Sequence, residues 1–431
     1  MHCVRYGARE LCLAPSIVGR AEIIRVAPSP VASPAPAAEL VRSALERPMG
    51  PRLRDVARGA RSAVVLVPGI DRIAAVGDFA LPVLRELDEA GVPRAGVHFY
   101  LATGTHEHKG LRDLHELVGS DVAGSVAGAV HDCRGSDFVD VGVTSRGTRV
   151  ALARRVVESD VKVLTGRAVP HYFAGFGGGR KALLPGVASH KTITENHRLT
   201  LASNGEGNRG IARGVGPCAI DGNPVHLDML EAARMAGPSF AVTTVIDEHQ
   251  RVVGVFAGEP EGSHQQACAF ARRVHQVLVD RPFDGIITSA GGAPYDMNFM
   301  QSIKALFNVQ EGLRPGGPML WVAECPLGVA KGFLDWAAVS DDDALERDVR
   351  AAYNLAGHNS VMLRRLARAS EIGVVTAIPA DLVRRLGLHP LESLEAGLSW
   401  LGERVRSGAH IAFVPFGNVT HLGLSPSGGL A

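Results

Sequence analysis

Three stretches of this sequence gather side chains able to do chemistry. The densest is Pro170-His171-Tyr172-Phe173-Ala174-Gly175-Phe176-Gly177-Gly178-Gly179-Arg180-Lys181. Glycines let backbone N–H groups approach an anion, so Gly177, Gly178 and Gly179 ahead of Arg180 and Lys181 read as a phosphate cradle. The same residues also suit a tight left-handed turn followed by two solvated cations. Two common cradles fail on the residues: the dinucleotide fingerprint needs glycine where Arg180 stands, and a P-loop needs Gly before its lysine and Ser or Thr after it, where Arg180 and Ala182 flank Lys181. The second stretch, Ala102-Thr103-Gly104-Thr105-His106-Glu107-His108, puts His106 just past a strand pattern, where catalytic groups collect in open α/β sheets. Downstream, Ser189 is placed to cap a helix carrying His190 and His197, which lie seven residues apart and so share a face. The third stretch begins at Gly291 and ends in Gln301 and Lys304, i,i+3 neighbours on a helix. An amide beside an ammonium suits a carboxylate or alkoxide; a solvated helix face has the same composition.

The elements that position these groups are short apolar runs alternating with helical patterns. Ser62–Val67, Gly96–Leu101, Val161–Leu164 and Gly285–Thr288 read as buried strands, each followed by a glycine-containing turn, with a helix over Phe79–Ala90. Such alternation predicts an α/β fold: two α/β domains with mostly parallel sheets and the active site in the cleft between them. A Pro/Ala-rich linker spans 27–38 and leads into a helix near Glu39–Glu46. A helical run over Gln266–Val279 precedes the strand at 285. The expected organisation is an N-terminal domain, 1–270, carrying the glycine-rich segment, and a C-terminal domain, 271–431, contributing substrate contacts.

Composition narrows the function classes. With 45 Lys+Arg against 44 Asp+Glu, the 431-residue chain has no global field to attract nucleic acid or an anionic membrane, so an anion site must be local. Aromatics at 5% argue against base-stacking platforms. No apolar run approaches the ~20 residues needed to span a bilayer, and the N-terminus has no secretory leader pattern. The six cysteines form no C-x-x-C pair, a pattern expected of reduced thiols in a cytoplasmic protein. The 17 histidines are the unusual feature.

Six blocks in order resemble the nickel-dependent lactate racemase family of 2-hydroxyacid racemases and epimerases: 102–106 (ATGTH), 170–189 (PHYFAGFGGGRKALLPGVAS), 194–197 (TENH), 222–226 (GNPVH), 252–264 (VVGVFAGEPEGSH) and 291–304 (GGAPYDMNFMQSIK). The resemblance implies an isomerase with a nickel pincer nucleotide, a pyridinium thioamide/thiocarboxylate mononucleotide holding Ni, covalently tethered at Lys181. It implies Gly177, Gly178 and Gly179 at the cofactor's phosphate and His197 as the protein's nickel ligand, a role imidazole nitrogen suits. His106 and His171 match the paired acid/bases that take the hydroxyl proton on either face while the C2 hydride moves to the pyridinium and back. Arg72 resembles the arginine that polarises the substrate hydroxyl, and Gln301 and Lys304 match the substrate contacts. The implied partners are a small 2-hydroxyacid and cofactor-biosynthesis proteins. Departures are local. The family's Asp-x-Thr-Arg segment is Gly69-Ile70-Asp71-Arg72 here, Glu107 and His108 follow His106 where Arg is usual, and Tyr295 and Met300 differ from a lactate pocket. The resemblance therefore implies a 2-hydroxyacid without fixing which one.

Two other readings stay open on the residues. One is a phosphometabolite-binding protein without nickel chemistry, using the glycine-rich loop alone. The other is an oxidoreductase using free nicotinamide cofactor, which the failed dinucleotide fingerprint disfavours.

Overall fold

The computed structural model describes residues 2–13, 21–28, 31, 35–106, 108, 110–202 and 210–425. Glu107 and part of the 27–38 linker lie outside the described residues. The chain forms two units: Pro30–Leu199 with Gly214–Val274, and Met1–Ser29 with Thr200–Arg213 and His275–Ala431.

The first unit is built on a six-stranded sheet in the order Val252–Gly258, Phe240–Ile246, Val161–Arg167, Ala63–Pro68, Val97–Ala102, Ala127–Val130. Neighbours run parallel except the hairpin of Phe240–Ile246 with Val252–Gly258. Ala63 to Val67 are wholly buried, which explains why this strand reads as a continuous apolar run rather than an alternation. Over the sheet lies the helix Val76–Glu89, burying Phe79, Ala80, Val83, Leu84 and Leu87 at helical spacing. The strand at 161 runs three residues beyond the expected Leu164, because Thr165, Gly166 and Arg167 pair with Val242, Thr243 and Thr244.

The second unit carries a wholly parallel six-stranded sheet in the order His389–Leu391, Ile372–Val375, Met319–Val322, Gly285–Ser289, His410–Val414, Glu22–Arg25. Its edge strand thus comes from the N-terminus. A single contiguous domain over 1–270 does not account for this, because Glu22–Arg25 finds its partner at residues 410–413, a pairing invisible to local pattern. The helix expected over Gln266–Val279 is Pro260–His275, and Gln276–Val279 is a strand paired with His421–Leu424. Here the Val-Leu-Val run takes a distant ladder over the local helix.

One cysteine expectation is corrected. Cys3 and Cys12 form a disulfide. Nine residues apart, they show no sequence motif, but the hairpin of Cys3–Tyr6 with Arg9–Cys12 sets them directly opposite. Cys133, Cys218, Cys268 and Cys325 are free. Among the described residues no helix is long and apolar enough to cross a membrane.

Candidate active site

Ala63–Pro68, Val97–Ala102 and Val161–Arg167 are parallel, so their carboxyl ends open along one edge of the sheet. The segments leaving those ends supply Asp71 and Arg72, then His106, then Arg167 and His171 to a single pocket, with Lys181 across from them. Gly177 and Gly178 complete that wall.

Arg72 donates from Nη2 to Nε2 of His106. A guanidinium has no acceptor, so Nε2 carries the ring's lone pair and Nδ1 its proton. That proton faces Asp71, whose Oδ2 lies 3.4 Å from Nδ1 and 3.6 Å from Arg72 Nε. The acid that stands beside Arg72 in place of the family's earlier Asp is thus positioned to orient both groups.

His171 is held the other way round. The Ala174 N–H donates to its Nδ1 (3.3 Å), so a neutral ring carries its proton on Nε2, 3.3 Å from Lys181 Nζ. An ammonium offers only protons, whereas a free amine can accept that one. The Phe173 ring, 5.3 Å from Nζ, would favour the charged form, but the closer His171 contact favours the amine.

His197 lies on the helix His190–Arg198, where the Ser189 hydroxyl caps the start by accepting from Thr192 N–H (3.2 Å). It is buried, its ring 5.0 Å from that of Phe173, which also stacks edge-on to His171 at 4.5 Å. Behind it the Asn196 amide donates to Asp228 Oδ2 (2.8 Å), and Thr144 and Thr148 hydroxyls donate to the same carboxylate (2.5 and 2.8 Å). His190, on the same helix, instead accepts from Arg134 at the surface (3.0 Å).

The glycines divide their roles. Gly177 N–H is spent on Val169 O (2.9 Å), so it does not serve as an anion donor; a Cβ there would sit 2.7 Å from Arg167 O, and the residue is needed for close approach. Gly178 and Gly179 adopt φ of +74° and +52° and swing the chain into the 3-10 turn Gly179–Ala182. Arg180 leaves this pocket altogether and lines a different cavity with His264.

Gln301 and Lys304 belong to the second unit, where Lys304 Nζ donates to Gln301 Oε1 and Asn298 accepts from Gln301 N–H (2.9 Å). Sequence reasoning passed over Arg167, Thr165 and Asp228. Following the strand three residues further would have brought Arg167 and Thr165 to the site; Asp228, buried mid-helix, gave no local signal.

Residues 6–208 match the model of the lactate racemase N-terminal domain. The chain is 33% identical over 391 residues to a lactate racemase from Thermoanaerobacterium thermosaccharolyticum, spanning 88% of this chain and 89% of the relative. The chain belongs to the lactate racemase family. This family is one of isomerases, and a second member, the lactate racemase of Lactiplantibacillus plantarum, is 27% identical over 88% of this chain and 89% of its own. The structure of the lactate racemase apoprotein from T. thermosaccharolyticum superposes with a TM-score of 0.87 at 27% identity, covering 98% of this chain and 99% of that one. A Thermotoga maritima protein shares the fold alone, with a TM-score of 0.66 at 14% identity over 91% of this chain and 99% of its own.

Proposed function

We propose that the protein racemises or epimerises a 2-hydroxyacid, with a nickel pincer nucleotide tethered at Lys181 and nickel held by His197. The observation that carries this reading is the placement of Lys181 Nζ 3.3 Å from His171 Nε2, in one pocket with the joined pair Arg72 and His106. The residues fit the group: Lys181 faces a ring N–H that suits its neutral, acylable form, and His197 is held so that Nε2 bears the lone pair. When bound, the cofactor supplies a reversible acceptor for the C2 hydride.

The rest is the work of the chain. Arg72 binds the substrate hydroxyl and lowers the cost of removing its proton. His106 takes that proton on Nε2 while Asp71 stabilises the imidazolium through Nδ1. His171, whose neutral ring holds its proton on Nε2, is the second proton carrier, giving that proton to the substrate oxygen from the opposite face and recovering it in the reverse direction, so either enantiomer can react. Gln301 and Lys304 keep the substrate contacts implied by the family, with the ammonium on the carboxylate. Gly178 and Gly179 take the phosphate, since among the described residues no acceptor takes their N–H groups. On this reading the enzyme works in the cytoplasm and relies on cofactor-assembly proteins.

The test is expression beside cofactor-assembly enzymes, followed by intact mass, nickel content and stereoinversion assays on lactate and larger 2-hydroxyacids. An adduct lost in Lys181→Ala, stoichiometric nickel and inversion of at least one acid are expected. A chain with neither adduct nor nickel overturns the reading in favour of simple phosphometabolite binding.

A further inference from the structure

Leu164 and Thr165 are consecutive on one strand and therefore face opposite sides of the sheet. Thr165 lines the pocket of His106 and Lys181, while Leu164 lines a second cavity of about 230 Å³. Leu230, Ala233 and Pro238 give that cavity an apolar wall, and Arg180 and His264 line it as well.

Arg180 is only 3% exposed. Its Nη2 donates to Ala174 O (2.7 Å), and Nη1 lies 3.1 Å from His264 Nε2, a nitrogen already 2.9 Å from Gly177 O. Its Nε has no hydrogen-bond partner, and no carboxylate pairs with the guanidinium among the described residues. A buried cation without a counter-ion is costly. Its neighbours do not neutralise it. Burial and the guanidinium press His226 to about 2 and His264 to about 3, so both rings are neutral, and burial pushes the Cys268 thiol up to about 12. Burial lowers Arg180 itself to about 10, which leaves it charged at neutral pH. The remaining charged groups of the lining are already engaged: Arg234 grips Glu261 with three bonds (2.8, 2.9 and 3.0 Å), and Glu259 accepts from the N–H groups of Glu261 and Gly262 (3.0 and 2.6 Å) at the start of helix Pro260–His275. Arg180 is thus left without a carboxylate partner beside an apolar slot, while the carboxylates of the lining are held by Arg234 and by backbone N–H groups.

We propose that this cavity is a second binding site, for a small monocarboxylate with a short alkyl body, its carboxylate drawn to Arg180 and its alkyl group lying along Leu230 and Ala233. Arg180 and Lys181 are consecutive in the turn Gly179–Ala182, so occupancy steadies the turn that carries Lys181. The site needs no nickel and stands whether or not the racemase reading does.

Propionate is the probe, titrated calorimetrically into the cofactor-free full chain. The expected result is saturable binding that survives Lys304→Ala, which removes the ammonium assigned to the substrate carboxylate, and weakens at least roughly tenfold in Leu230→Trp, whose indole fills the slot. Ala233→Leu, a smaller obstruction, serves if Leu230→Trp does not fold, and either variant is compared at a thermal midpoint close to that of the parent. Absence of binding in the parent chain, or equal binding in a folded cavity-filled variant, overturns the proposal. Inorganic phosphate binding more tightly than propionate overturns the carboxylate assignment.

Discussion

Asn196 Oδ1 accepts the Nδ1 proton of His197 at 3.0 Å. The direction follows from the other end of the amide, since Asn196 Nδ2 donates to Asp228 (2.8 Å) and Val225 O (3.3 Å), leaving only the oxygen for the ring. His197 is thereby held in the tautomer whose Nε2 carries the lone pair. A metal-binding histidine needs that state, and outer contacts of this kind commonly set it.

Asp228 anchors the relay by accepting from three donors, and Asp228→Asn keeps its shape while removing the negative charge and one of the two acceptor oxygens of the carboxylate that orients Asn196. Nickel retention after dialysis against a chelator is expected to fall about 10- to 100-fold, with the Lys181 adduct unchanged by intact mass. Equal nickel retention in the variant would take Asp228 out of the relay.

His106→Gln and His171→Gln each remove one proton carrier while leaving a hydrogen-bonding side chain. Turnover should drop about 10²- to 10⁴-fold in either variant, with nickel and adduct at parental levels. Asp71→Asn should cost less, because it orients His106 and carries no substrate proton itself. A loss in Asp71→Asn as deep as in His106→Gln would contradict that division of labour.

Gly179→Ala forces a side chain onto a residue at φ +52°, with the new Cβ 2.6 Å from the His264 ring. Chemical denaturation should show a loss of roughly 1–3 kcal/mol. The Lys181 adduct should also form more slowly, since the turn that presents the lysine is displaced. Parental stability would mean that the turn relaxes without strain.

Acid should destabilise the fold through its buried histidines. Burial presses His358, in contact with the Tyr353 hydroxyl at 2.5 Å, down to about 3. Between about pH 6.5 and 3 the unfolded chain takes up a proton there that the folded chain refuses, so stability is full above that window and is lost as pH falls through it. The expected slope is about 1.4 kcal/mol per pH unit for each such histidine. Urea midpoints measured from pH 7 to 4.5 should fall less steeply in His358→Gln than in the parent; parallel profiles would assign the acid sensitivity elsewhere.

Much of the frame was legible in the chain because it rests on local physics. The strand at 63 announces itself as an apolar run whose burial on both faces leaves no polar side to show, and those at 97, 161 and 285 keep enough of that run to read as strands. Ser189 caps its helix as a hydroxyl in that position should. Arg167 and the strand Glu22–Arg25 were missed for a common reason: each owes its place to a ladder partner far along the chain, Thr244 in one case and Phe413 in the other.

What the sequence determined by itself was the chemical stock: a lysine after three glycines, histidines beyond strand ends, an arginine with an acid beside it. Those depend only on residue type and near neighbours. Tertiary structure decided which of them meet. It separated His197 from His190 on one short helix, sending the first into a buried relay with Asp228 and the second to Arg134. It also parted Arg180 from Lys181, because a 3-10 turn at the end of a strand sets successive side chains toward different cavities. Tautomers, too, are tertiary facts, since each ring's proton is placed by a partner that only the folded chain brings within reach.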